Sequence, residues 1–107
     1  MVDRSDRRAE ERYSVNADAS CPFVSPVVED FGPVKMRDVS MQGIGLIVSR
    51  RVEVGALLAV GLTNTARGFS KTVLVRVVHV TQSGGSFLVG GTFVNPLTYQ
   101  EMTTLVM

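Results

Sequence analysis

Apolar and polar residues alternate from Tyr13 onward, with Tyr13, Val15, Ala17 and Ala19 set against Ser14, Asn16, Asp18 and Ser20. A two-residue period of this kind marks a half-buried strand, predicted over 13–20. Pro22 and Pro26 stop its continuation, so 21–33 reads as a bend with Gly32-Pro33 as a turn. Further strands are predicted over 34–39, with Lys35 and Arg37 facing out, and over 44–48, entered through Gly43 and Gly45. Another spans 56–62, after the Glu53-Val-Gly55 turn, and a polar loop follows over 63–68. The longest strand is predicted over 72–81, where a β-branched run is apolar on both faces and implies a covered position. Ser83-Gly84-Gly85 then turns the chain into 87–94 as a hairpin, and Gly90-Gly91 inside that strand implies a bulge or a barrel corner. Thr98-Tyr-Gln-Glu101 has the form of a capping box, and Tyr99, Met102, Leu105 and Val106 share one face of the short helix it would open.

These elements predict an all-β fold: a small six-stranded antiparallel β-barrel with a short C-terminal α-helix. The barrel occupies 13–107 as a single domain, and 1–12 is a charged, flexible N-terminal arm. Composition agrees, since 107 residues that are 45% hydrophobic and 20% charged suit one small core rather than a disordered chain. One cysteine, Cys21, excludes an internal disulfide, and with the single histidine, His79, it leaves no Cys/His metal set. No metal or cofactor is expected. No apolar run approaches the roughly 20 residues of a membrane-spanning helix, and the polar N-terminus lacks a secretory pattern, so the expected setting is cytoplasmic.

Net charge is +1, which argues against a protein holding long nucleic acid by bulk electrostatics. The distribution is more informative than the sum. Arg4, Arg7, Arg8 and Arg12 fall in the first twelve residues, masked by Asp3, Asp6, Glu10 and Glu11. Arginine presents a planar fork of donors that matches phosphate oxygens and the O6/N7 edge of guanine. Taken alone, such a stretch also reads as a solvated, self-paired surface segment.

A second group is Asp38-Val-Ser40-Met-Gln-Gly43. Alternation places Asp38 and Ser40 on one side of their strand, and Gly43 permits a sharp turn. Asp38 is an acceptor suited to the N1–H and N2–H donors of guanine, and Ser40 is a short donor and acceptor. These residues also occur in hairpins where Asp and Ser satisfy only their own backbone.

The two groups complement each other, and with the strand pattern they resemble the PilZ domain, the bacterial receptor module for cyclic di-GMP. That family carries Arg-x-x-x-Arg before the first strand, matched by Arg8 and Arg12, and Asp/Asn-x-Ser-x-x-Gly, matched by Asp38, Ser40 and Gly43. The later hairpin and the terminal helix also resemble the family, so the likeness spans about 7–106. It implies that Arg8 and Arg12 bind phosphate and the Hoogsteen edge of guanine, that Asp38 and Ser40 hold a second part of the ligand, and that Gly43 keeps the turn open. It implies further that the arm closes over the ligand and that the signal passes to a downstream protein effector in a bacterial cytoplasm. Arginine at Arg7, before the first motif arginine, is associated in the family with a stacked pair of ligands. Two other functions compete: a PilZ-like adaptor working by protein contact with little or no ligand binding, and a small barrel binding single-stranded nucleic acid. The second lacks the interleaved aromatic and basic residues such barrels use. An enzyme has no residue set here, because His79 has no base or nucleophile arranged with it.

Overall fold

The computed structural model describes residues 12–21, the backbone of 24–25, and 34–107. The bulk of the first arm, including Arg7 and Arg8, and the Gly32-Pro33 turn lie outside the described residues. Within them the chain forms one curled antiparallel sheet and a helix. The strands are β1 (Tyr13–Ser14), β2 (Ala19–Ser20), β3 (Val24–Ser25), β4 (Val34–Val39), β5 (Gly43–Val48), β6 (Leu57–Asn64), β7 (Phe69–Ser83) and β8 (Ser86–Phe93). Their order across the sheet is β1-β4-β5-β8-β7-β6-β2, with β3 also paired to β6. The helix α1 spans Tyr99–Val106.

The expected fold class is therefore present, with eight strands rather than six. The predicted first strand divides in two. Asn16 breaks it: its Oδ1 accepts the Asp18 N–H at 2.7 Å and its carbonyl accepts the Ala19 N–H at 3.0 Å. Side-chain and backbone turn bonding at Asn wins over the alternation around it. The consequence is topological, because β1 pairs with β4 and β2 pairs with β6. One short segment thus bridges the two far edges of the sheet and curls it into a half-barrel. β3, placed where only a bend was expected, pairs Val24 with Val60 and adds cover to the β6 edge.

The core lies inside the curl. Ile44, Leu46 and Val48 of β5, Leu58, Val60 and Leu62 of β6, Val73, Val75 and Val77 of β7, and Leu105 of α1 are all buried. Each such side chain contributes about 1.5–3 kcal/mol on removal from water. β7 departs from expectation: only its Val73, Val75 and Val77 face is buried, while Leu74 and Val78 are 43% and 49% exposed. Helix α1 packs its Met102 and Leu105 into the core rather than over the outer face of β7.

Helix α1 seats through its C-terminal end. The last carbonyls of a helix have no partner within it. Here the Asn64 side-chain amide donates to the Thr104 carbonyl and the Asn16 N–H donates to the Leu105 carbonyl, both at 2.7 Å. Met102 and Leu105 face the core as expected, but Tyr99 at the first turn is 67% exposed. The capping box forms as predicted: Glu101 N–H donates to Thr98 Oγ1 at 3.1 Å and Thr98 N–H donates to Glu101 Oε1 at 2.9 Å.

Glu101 also receives the Lys71 ammonium at 2.6 Å, tying α1 to β7. Lys71 first, and the Thr98 N–H next, hold its carboxyl below the ordinary glutamate range. A depressed carboxyl stabilises the fold above its unfolded pKa, and that contribution disappears as pH falls through the folded value. Glu101→Gln should therefore melt below the wild-type temperature at neutral pH. The two curves should converge as pH falls from the peptide value of about 4.3 through the lower folded one. Thermal denaturation followed by circular dichroism at several pH values measures this.

Candidate functional site

The site is built on the outer face of four consecutive strands. Register places Asp38 of β4 opposite Gly45 of β5, Gly45 opposite Gly90 of β8, and Gly90 opposite His79 of β7. One row across the sheet thus reads Asp38–Gly45–Gly90–His79. Its middle is bare backbone, and its ends carry the chemistry. The flanking side chains lie over the glycines: a Cβ on Gly45 would sit 2.7 Å from Asp38 Oδ1, and one on Gly90 would collide with the His79 ring.

Two irregularities set the ends of the row. The β4–β5 register shifts between Met36 and Asp38, and the β7–β8 register shifts between Val77 and His79. An extra residue at each point, Arg37 and Val78, leaves the ladder and re-aims its neighbour, a frequent arrangement beside binding sites. Gly90-Gly91 was expected to mark a bulge or a barrel corner. The glycines instead pair regularly with β5, and the bulge lies across from them in β7. Their role is close approach, since a Cβ on Gly91 would meet the Val75 side chain and the Arg76 carbonyl.

Around the row lies a cleft of about 430 Å³, lined by Arg12, Arg37, Asp38, Val78, His79, Leu88 and Thr92 above the glycine floor. That volume lies within the range of small-molecule sites. Arg12 Nε donates to Asp38 Oδ1 at 2.9 Å and its Nη2 stands 2.8 Å from the same oxygen. Arg37 Nε stands 3.4 Å from Oδ2. Two guanidinium groups around one carboxylate leave this wall with a net positive charge. The Arg12 and Asp38 side chains are 35% and 22% exposed, so their pairing is worth only about 0–1 kcal/mol and is readily exchanged for a ligand. Arginine has five N–H donors, and Arg12 spends few of them on Asp38.

The two sequence groups thus meet, through Arg12 and Asp38. Ser40 takes a different position from that expected, whereas Gly43 opens β5 directly after the turn, as expected, and lines the cleft. Ser40 is 1% exposed and does not share the open side with Asp38, because the strand ends at Val39 and alternation ends with it. Its hydroxyl accepts the Gln42 and Gly43 N–H groups at 3.1 and 3.0 Å, while its own N–H donates to the Gly43 carbonyl at 2.9 Å. Ser40 therefore shapes the turn. Gly43 has no positive φ; a side chain there would strike the Gly91 carbonyl oxygen. Its need is proximity to β8. Arg37, His79 and Leu88 were not anticipated, and the signal for them was the strand glycines Gly45 and Gly90, which mark where neighbours lie close.

A protein-family model described as the PilZ domain matches residues 6–107. The chain belongs to this family, whose domains are receptor-type modules binding cyclic di-GMP rather than catalysts. A search of curated proteins finds no match to it. No helix among the described residues is long and apolar enough to cross a membrane.

Gly43 and Gly45 separate fold from site. Gly43→Ala sets a methyl against backbone, which cannot swing aside, and should lower unfolding stability by about 1–3 kcal/mol, the usual scale of overpacking. Gly45→Ala meets only the end of the Asp38 side chain and should leave stability within about 0.5 kcal/mol while displacing that carboxylate. Denaturant unfolding of the two variants reads the contrast.

Proposed function

We propose that the chain is a cyclic di-GMP receptor domain whose ligand seats over Gly45 and Gly90, against Arg12 and Asp38. The observation that carries this reading is the Arg12–Asp38 pair at the rim of a glycine-floored cleft. Glycine at these positions lets the Asp38 and His79 side chains lie close against the sheet, which leaves room above them for planar bases or a phosphodiester. Leu88 offers apolar surface beside that floor. The arginine forks match phosphate oxygens and the guanine Hoogsteen edge, and Asp38 accepts from guanine N1–H and N2–H once Arg12 turns to the ligand. Ser40 and Gly43 serve by holding the turn that carries Asp38.

Arg7 and Arg8, outside the described residues, complete the motif in this proposal. The N-terminal arm orders over the ligand, at an entropic cost that lowers the net affinity, and this ordering is the switch. The output passes to a protein effector in a bacterial cytoplasm. Exposed Leu57, Leu74 and Val94 supply apolar surface of the kind partners use. Stacking on single-stranded nucleic acid is less well supported, because Phe93 is buried and Phe69 and Phe87 pack against the core.

Isothermal titration with cyclic di-GMP tests the reading. Arg8→Ala and Arg12→Ala should each weaken binding by about 1–3 kcal/mol, the scale of one bidentate arginine contact. Wild-type affinity in both variants rejects the assignment. Stoichiometry is a separate readout: two ligands per chain are expected for the wild type and one for Arg7→Ala. A value of one in both would remove the stacked pair.

A further inference from the structure

The wall of the cleft opposite Arg12 is made by His79, and its placement is unusual for a surface strand histidine. The β7 bulge follows a buried Val77 with two exposed residues in succession, Val78 and His79, and so turns the imidazole onto the glycine row. The part of the ring nearest Gly90 is Cε1 with both nitrogens, so its polar edge lies over the cleft floor. Among the described residues that edge makes no hydrogen bond and no ion pair. His79 is also the single histidine of the chain.

We propose that His79 is a second anion contact for the ligand, facing the arginines across the floor, and that its protonation couples ligand binding to pH. The inference rests on the cyclic di-GMP reading of the same cleft. Asp38 and His79 end one row of four strands, and their side chains lean inward over Gly45 and Gly90, which pair directly with each other. A cyclic dinucleotide has two phosphodiesters on opposite sides of its ring, and the row offers a cationic group at either end. Arg12 with Arg37 serves one, and His79 serves the other when it carries a proton.

The charged groups facing this position are few. β5 and β8 bring none, having Gly45, Gly90, Leu88 and Thr92 there. β4 brings Asp38 and Arg37, both engaged with each other, and Arg12 is paired to Asp38. On β7 itself Arg76 donates to the Gly55 carbonyl at 2.9 Å. The loop before β6, whose Gly55 N–H donates to the Val77 carbonyl at 2.8 Å, carries Glu53 two residues earlier. Carboxylate and guanidinium side chains as a class change charge far from neutral pH, whereas histidine ordinarily does so between about pH 5 and 8. Phosphodiesters and guanine keep their charge over that range. A ligand that favours the imidazolium must raise the histidine's pKa on binding, and affinity must rise as pH falls through it.

The test is calorimetric titration of the full chain with cyclic di-GMP from pH 8 to pH 5.5, with His79→Phe and His79→Gln beside the wild type. Wild-type binding should tighten about three- to tenfold on acidification, the range of a partly exposed charge-assisted contact. Both variants should lose the pH dependence, their affinity changing little between pH 8 and pH 5.5. Phenylalanine retains the ring and glutamine retains a neutral hydrogen-bonding group, so a stacking or structural role would leave at least one of them wild-type at pH 5.5. In parallel, the histidine ring resonance, unique in this chain, is followed by NMR against pH. Its midpoint should move up by about half to one pH unit in the complex, the same coupling seen from the other side. Ligand binding with a flat pH profile and an unmoved midpoint overturns this inference while leaving the receptor reading intact. Absence of cyclic di-GMP binding at every pH overturns both.

Discussion

The seam between β5 and β8 is the constraint on which the rest of the structure depends. A Cβ at Gly43 would meet the Gly91 carbonyl, and one at Gly91 would meet Val75 and the Arg76 carbonyl. Only glycine lets these backbones approach so closely while the sheet curls over its core. The same seam has a second surface: Gly45 and Gly90 leave bare backbone outside, and the side chains of Asp38 and His79 lean over it. One stretch of glycine-rich pairing thus serves the core on one side and opens a cleft on the other.

Charge is arranged around this floor with little stability invested in it. The core residues of β5, β6 and β7 and Leu105 each contribute about 1.5–3 kcal/mol, against about 0–1 kcal/mol for the half-exposed Arg12–Asp38 pair. The fold therefore does not rely on that pair, and a ligand able to offer a better partner can take Arg12 from Asp38. The rigid part is the strand row, and the exchangeable part is the set of long side chains at its rim. For a ligand-binding domain that division is physically appropriate, because long side chains at the rim can be redirected without disturbing the barrel.

Much of this was legible before any coordinates. The β-branched runs, the turn glycines and the Thr98–Glu101 capping box are local signals, and the strands from β4 onward, the β7–β8 hairpin and the helix formed close to where they predicted. Arg8 and Arg12 with Asp38, Ser40 and Gly43 were recognisable as a motif pair, and Arg12 and Asp38 do meet. Alternation misled at three places. It carried one strand through Asn16, where a side-chain turn divides it. It carried Asp38's side of the strand on to Ser40, where the strand has already ended. On β7 it was read as apolar on both faces, although Leu74 and Val78 face out.

The sequence by itself determined the class of fold, the family and the two residue groups, because periodicity, turn chemistry and motif spacing act over a few neighbouring residues. Only the tertiary structure decided that Asn16 links the sheet's edges, that Ser40 is buried in a turn, and that Arg37 and His79 border the cleft. Those outcomes depend on register between strands far apart in the chain and on one-residue bulges that reverse which way a side chain points. A pairing register is a property of two strands together, and neither strand's sequence states it alone.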